Sequence, residues 1–182
     1  STPTPSDIYL APTSFFDYDH AAVRSFARNA IAGESTQIGK AVALFYAVRD
    51  QLRYDPFTIR LDVDSFAASA IVQSAGAFCI PKAILLTAAA RSVGIHTAIG
   101  LADVVNHLTT EKLKARMGGK TLFIYHGYAL MHLEGQWVKA APAFNIELCK
   151  RFDVLPTDFD GRSDAIYQPY DALNRRHMEY VK

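Results

Sequence analysis

A chain of 182 residues, half of them hydrophobic and a fifth charged, is long enough to bury one core and is most simply a single domain spanning 1–182. Its net charge of +1 gives no electrostatic footprint for nucleic acid or an anionic membrane, and no apolar stretch approaches the roughly 20 residues of a spanning helix. Two cysteines are too few for a disulfide framework; with an N-terminus that lacks the charged-then-apolar pattern of a secretory signal, they read as reduced thiols of a cytoplasmic protein.

Residues 1–14 carry prolines at 3, 5 and 12 and read as an extended N-terminal segment. Asp17 or Asp19 can cap a helix from about His20 to Ala32, with Val23, Phe26, Ala27, Ala30 and Ile31 on its apolar face and Gly33 ending it. Ser35 or Thr36 caps a longer helix. Its stripe of Ile38, Ala41, Val42, Phe45, Val48 and Leu52 faces a core, and it ends near Tyr54-Asp55-Pro56. Phe57 to Val63 is a short strand or an extended link, and Asp64 or Ser65 opens a short helix through Phe66, Ala70 and Ile71.

The loop Gln73 to Phe78 delivers Cys79 to the start of a helix. Pro81 suits its first turn, Ile80, Ala83, Ile84, Thr87, Ala88 and Arg91 have helical spacing, and Gly94 stops it. His96 to Val105 reads as a strand and Thr109 to Met117 as a surface helix broken by Gly118-Gly119. The clearest β signal follows: Thr121 to Leu133, a Glu134-Gly135 turn, and a return strand from Gln136 to Phe144. Asn145 can cap a helix through Ile146, Leu148, Cys149 and Phe152, and residues 153–182 read as an irregular tail packing on the domain. Helices first and strands after predict an α+β fold with an antiparallel sheet.

Cys79 is the candidate for chemistry. At a helix N-terminus, unpaired N–H groups and the helix dipole favour the nucleophilic thiolate, although a small buried hydrophobe is the plainer reading. A cysteine nucleophile needs a base and a third group that fixes the base's tautomer. His126 is the natural base, on the strand Phe123-Ile124-Tyr125-His126-Gly127-Tyr128-Ala129, with Gly127 leaving room beside it. The plainer alternative is a half-exposed strand histidine. The histidines at 20, 96, 107, 132 and 177 have weaker settings. No histidine pair has i,i+4 spacing, and CxxC, GxxxxGK[ST], GxGxxG and GxSxG are all missing. A metal site, a nucleotide enzyme and a serine hydrolase therefore have no support.

Four segments in order resemble the transglutaminase-like cysteine protease superfamily. They are the lead from Lys40 to Asp55, then Gly76-Ala77-Phe78-Cys79 with Lys82 to Leu86 and Ala90 to Ile95, then His126-Gly127-Tyr128-Ala129, and finally Gly135-Gln136-Trp137-Val138. The resemblance implies a papain-like α+β core with the Cys helix packed on an antiparallel sheet that carries the His. It implies attack by Cys79 on an amide or ester to give a thioester, with His126 as general base and acid, and resolution by water or an amine. It implies no metal or organic cofactor. The expected partner is a peptide, protein or small amide substrate, with neither nucleic acid nor membrane involved.

The chain departs from that family at the third member. The aspartate slot after Trp137 holds Ala141, followed by Pro142. With Glu134-Gly135 as a two-residue loop, His126 lies opposite Ala143, and residues 141, 143 and 145 share a face. Asn145 is the nearest polar residue on it; papain-like enzymes orient histidine with asparagine, and a plain helix cap explains Asn145 equally well. Asp103 and Asp160 are loop alternatives. The oxyanion would take the Cys79 N–H and one side-chain donor; Gln73, six residues earlier, has the papain-like spacing, which a surface glutamine shares. Cys149 lacks a glycine loop before it and reads as packing. Arg91 matches a family position with a structural role. Tyr54, Phe78, Tyr125, Tyr128 and Trp137 either wall a cleft or fill the core. A module that keeps the fold, has lost catalysis and binds a peptide or protein is the alternative function, and Ala141 is its support.

Overall fold

The helix that begins at Cys79 is buried on every side, so the other elements are arranged around it. A computed structural model describes residues 3–58, 62–106, 122–153, 155–166 and 178–181. In chain order the elements are α1 (Ala21–Ala30), α2 (Gln37–Gln51), β1 (Arg53–Tyr54), α3 (Ala68–Val72), β2 (Gly76–Ala77), α4 (Cys79–Ser92), β3 (Thr97–Asn106), β4 (Leu122–Leu133), β5 (Gln136–Ala140), α5 (Ile146–Arg151) and β6 (Met178–Val181). Two 3-10 turns, Asp7–Tyr9 and Val63–Phe66, lie outside them.

Every residue of α4 from Ala83 to Arg91 is buried, as a core helix requires. One side packs on α1, α2 and α3 and the other on β3 and β4. Leu44, Phe45, Val48, Leu85, Leu86 and Met131 meet in that interior. Each side chain of this size contributes roughly 1.5–3 kcal/mol by leaving water. The main sheet is antiparallel throughout, in the order β5-β4-β3-β6, while β1 and β2 form a separate parallel pair. The fold is thus α+β, with the Cys79 helix against an antiparallel sheet. The β4–β5 turn is the expected one: Leu133 pairs with Gln136, and Glu134 and Gly135 both take positive φ, 49° and 78°.

Several expectations change. His20 caps α1, its Nδ1 accepting from the Ala22 N–H at 3.1 Å. Asp17 instead holds Ser69 of α3 through its N–H at 3.0 Å and its hydroxyl. Thr36 caps α2 as expected, but α2 stops at Gln51, because Arg53 and Tyr54 leave to pair with Gly76 and Ala77. β5 stops at Ala140 rather than Phe144. Ala165 takes its place beside the chain, accepting from the Ala141 N–H and donating to the Lys139 carbonyl, each at 2.7 Å. Asn145 stands at the N-cap of α5, but its side chain does not cap; Asp50 accepts the Ile146 N–H at 2.9 Å instead.

The tail is not wholly irregular, since Met178–Val181 adds to β3 as an edge strand. The N-terminal segment is tied down: Tyr9 packs edge-on to Trp137, and Arg91 donates to the Ala11 carbonyl at 2.8 Å. Val63 begins a 3-10 turn, and the helix expected at 109–117 lies outside the described residues, as do 59–61.

Candidate active site

The loop before Cys79 is shaped by close backbone approach. A Cβ at Gly76 would sit 2.8 Å from the Arg53 carbonyl oxygen, so only glycine lets β2 lie this near β1. Phe78 then takes the N-cap position in extended conformation, and Cys79 is the first residue of α4. Pro81 is the third, where its missing N–H leaves no helical bond unmade. Cys79 is 6 % exposed.

Strand β4 crosses the first turn of this helix at Gly127. A Cβ there would lie 3.0 Å from the Ile80 Cα and 3.4 Å from the Ala83 Cβ. His126, next to that contact, is buried, and burial pulls its pKa down to about 4. The imidazole is therefore neutral across ordinary pH. His126 pairs with Ala102 of β3, one residue before a register shift that ends at Val104. Bulges of this kind often accompany functional sites.

Cys79, Ala141 and Ala143 form a small buried cluster, with Tyr54, Phe78, Ile80, Tyr128 and Phe144 packed against it. The slot that would hold a carboxylate therefore stands in the wall beside the thiol, and it presents a methyl group. Half-buried Tyr54 packs edge-on to Phe144 at 4.7 Å. Its phenol is held well above the ordinary range, by burial first and then by the charge of Cys79 and Asp55.

Asn145 is buried, and its Oδ1 accepts the Tyr54 N–H at 3.0 Å, which ties the chain after β5 to β1. Gln73 lies exposed at the end of α3 with its Nε2 donating to the Ser69 carbonyl at 2.7 Å. Asp160 is exposed and shapes its own turn, accepting from the Arg162 and Ser163 N–H groups at 2.8 Å. Asp103 is a β3 position paired with Val181. Cys149 is buried in α5, its thiol donating to the Phe144 carbonyl at 3.7 Å and pushed up to about 11, chiefly by burial.

Sequence reasoning missed a polar group behind the wall. The Lys82 side chain is fully buried, and its Nζ donates to the carbonyls of Arg49 (2.8 Å), Leu52 (2.6 Å) and Ala143 (2.8 Å). Burial pulls its pKa down to about 7, with the Asp50 charge opposing. Removing the ammonium would leave three buried carbonyls short of a donor, at about 1–3 kcal/mol each. The available signal was a lysine one turn along a helix that is otherwise apolar from Ile80 to Leu86. Nearby, Arg49 pairs with Asp50 at 2.9 Å and with Asp158 at 3.0 Å.

A cleft of about 580 Å³ opens beside Phe78 and Pro81, with Arg53, Asp62, Asp64 and Phe66 in its walls. Such a cleft is large enough for a peptide side chain or a small amide. Among the described residues, no group of three His, Cys, Asp or Glu side chains is arranged to hold a metal ion, and no helix is long and apolar enough to cross a membrane.

A family model described as the transglutaminase-like superfamily matches residues 24–142. Among solved structures, a provisionally assigned cysteine protease from Cytophaga hutchinsonii is similar, with a TM-score of 0.58 and 12% identity. The similarity covers 98% of this chain and 64% of that one, so this chain spans less than two thirds of that protein's length. At that identity the likeness is one of fold. No curated protein sequence matches the chain.

Proposed function

The chain belongs to the transglutaminase-like superfamily, and on that premise we propose that it is a cysteine hydrolase or acyltransferase acting on an amide bond of a peptide, protein or small amide. One observation carries the reading: β4 packs through Gly127 onto the residue after Cys79, so the strand bearing His126 lies against the turn bearing the thiol. In this reading neutral His126 takes the Cys79 proton as the sulfur attacks the carbonyl carbon. The tetrahedral oxyanion accepts the Cys79 backbone N–H at the head of α4. The C–N bond then breaks, His126 returns its proton to the leaving amine, and a thioester remains on Cys79. Water or a second amine attacks the thioester with His126 again as base, releasing the acid or the new amide.

Asn145 is the proposed orienter. Its Oδ1 already accepts from Tyr54, and the second lone pair of that carbonyl is what it would offer an imidazole N–H. Gln73 would have to release Ser69 before serving the oxyanion; Tyr54, which packs in the cluster around Cys79, is the alternative second donor through its hydroxyl. A catalytically impaired peptide- or protein-binding module is the second reading, and the methyl group at Ala141 favours it.

The test is iodoacetamide labelling of the native protein against pH, read by peptide mass, with His126→Ala beside it. Cys79 is expected to react well below the ordinary thiol range of about 8.5 while Cys149 lags, and the histidine variant is expected to lose that reactivity. An inert Cys79, or one that reacts identically without His126, would leave the binding module as the better account.

A further inference from the structure

Lys82 lies one helical turn after Cys79, and nothing in the acyl-transfer chemistry uses it. We propose that Lys82 is a positioning residue of the Cys79 site, its ammonium clamping together the two chain segments that wall the thiol. The inference rests on the acyl-transfer reading above. Two of its three acceptors are the Arg49 and Leu52 carbonyls at the end of α2, and Leu52 lies two residues before Tyr54. The third is the carbonyl of Ala143, whose own methyl packs in the cluster with Cys79 and Ala141. The two walls also meet through the Asn145 amide and the Tyr54 N–H. One ammonium on the nucleophile's helix therefore sets the spacing of β1 and of residues 141–145 about the sulfur.

The chemistry suits an ammonium and little else. Three N–H donors meet three carbonyl acceptors, so nothing is left over on a cation that water does not reach. Methionine has the length without a donor, glutamine has two N–H groups on a shorter stem, and the planar fork of arginine cannot converge on this set. The charged and titratable groups facing Lys82 are Arg49 and Asp50 of α2 and Cys149 of α5. Asp50 favours the cation from a distance, its carboxylate being engaged with Arg49 and the Ile146 N–H.

The pH profile of Cys79 alkylation separates positioning from plain support of the fold. It is measured on wild type, Lys82→Met and Lys82→Gln, with Cys149 as internal reference and circular dichroism as the check on folding. Folded Lys82→Met is expected to lose on the order of 10- to 100-fold of the Cys79 rate at pH 6, its profile moving toward that of an ordinary thiol, since about 1 Å of misplacement costs that much. Lys82→Gln is expected to recover part of the loss. A folded Lys82→Met with the wild-type profile overturns the clamp alone; an inert Cys79 in the wild type overturns the clamp and the acyl-transfer reading together. Should neither variant fold, the profile is read on Lys82→Arg, which keeps the charge but cannot converge on the three carbonyls; a loss of Cys79 rate at pH 6 is expected, and a wild-type profile overturns the clamp.

Discussion

The two cysteines both meet the segment 141–145 and are almost equally buried, yet their surroundings differ. Cys79 packs on Ala143 at the first position of α4, where helix N–H groups have no carbonyl within the helix to meet. Cys149 sits inside α5, its own N–H already donated to the Asn145 carbonyl at 3.1 Å and its thiol pointed at the Phe144 carbonyl. Burial dominates at Cys149 and pushes the thiol up to about 11, with Asp50 and Asp158 adding to it. Depth therefore does not separate the thiol proposed as nucleophile from the one that packs. Helix position and the neighbouring strand do.

The strongest way to break this contrast is to remove each sulfur in turn. Cys79→Ala is expected to lower hydrolysis of an activated acyl ester by at least about a thousandfold, as loss of a covalent nucleophile does elsewhere, and to abolish the acyl-enzyme mass. Cys149→Ala is expected to keep both within about twofold, apart from any loss of stability. Equal losses from the two variants would mean that the contrast in surroundings does not reach the chemistry.

A second measurement sharpens the Cys79 side. Burial places the His126 pKa at about 4, below the 6.5 of an exposed histidine, so between these values the unfolded chain binds more protons than the folded one. The neutral imidazole's contribution is complete above pH 6.5 and is lost as pH falls toward 4. The gap corresponds to about 3 kcal/mol. Urea midpoints of wild type should therefore fall between pH 7 and pH 4.5, and His126→Ala should flatten that slope. Its cavity lowers stability equally at both pH values, so the slope is the readout. Parallel slopes would mean a solvated imidazole.

How much of this was legible follows from which interactions are local. The β4–β5 hairpin rests on alternation and on two turn residues with positive φ, all within one stretch, and α4 rests on helical spacing between Pro81 and Gly94. The end of α2 depends on Arg53 and Tyr54 meeting Gly76 and Ala77 much later in the chain, and the end of β5 depends on Ala165. Neither partner is visible from the segment it stops. At the site, a glycine-led cysteine and a strand histidine beside Gly127 are sequence features, because close backbone approach demands glycine. Gln73 rested on a six-residue spacing that says nothing about α3, whose last turn engages its amide. A lysine on a mostly apolar helix does not reveal its role until the carbonyls around it are known.

The smallest expected effect addresses the third member. Ala141 is 1 % exposed and stands in the Cys79 cluster, so Ala141→Asp places a carboxylate in a dry wall. It will be tolerated to the extent that it meets the imidazole N–H, and in that case it raises the His126 pKa by about one unit or more. A more basic imidazole stays protonated to higher pH, so the acid limb of the Cys79 alkylation profile should move up from about 4 toward 5 or above. Above that limb the rate should exceed wild type, because the carboxylate stabilises the imidazolium that forms as the thiol ionises. Cys149 should keep its rate. A folded variant whose limb stays in place would put residue 141 out of reach of the imidazole and leave Asn145 as the orienting group. A limb that moves would show the loop aimed at His126, with a methyl where the family carries its acid.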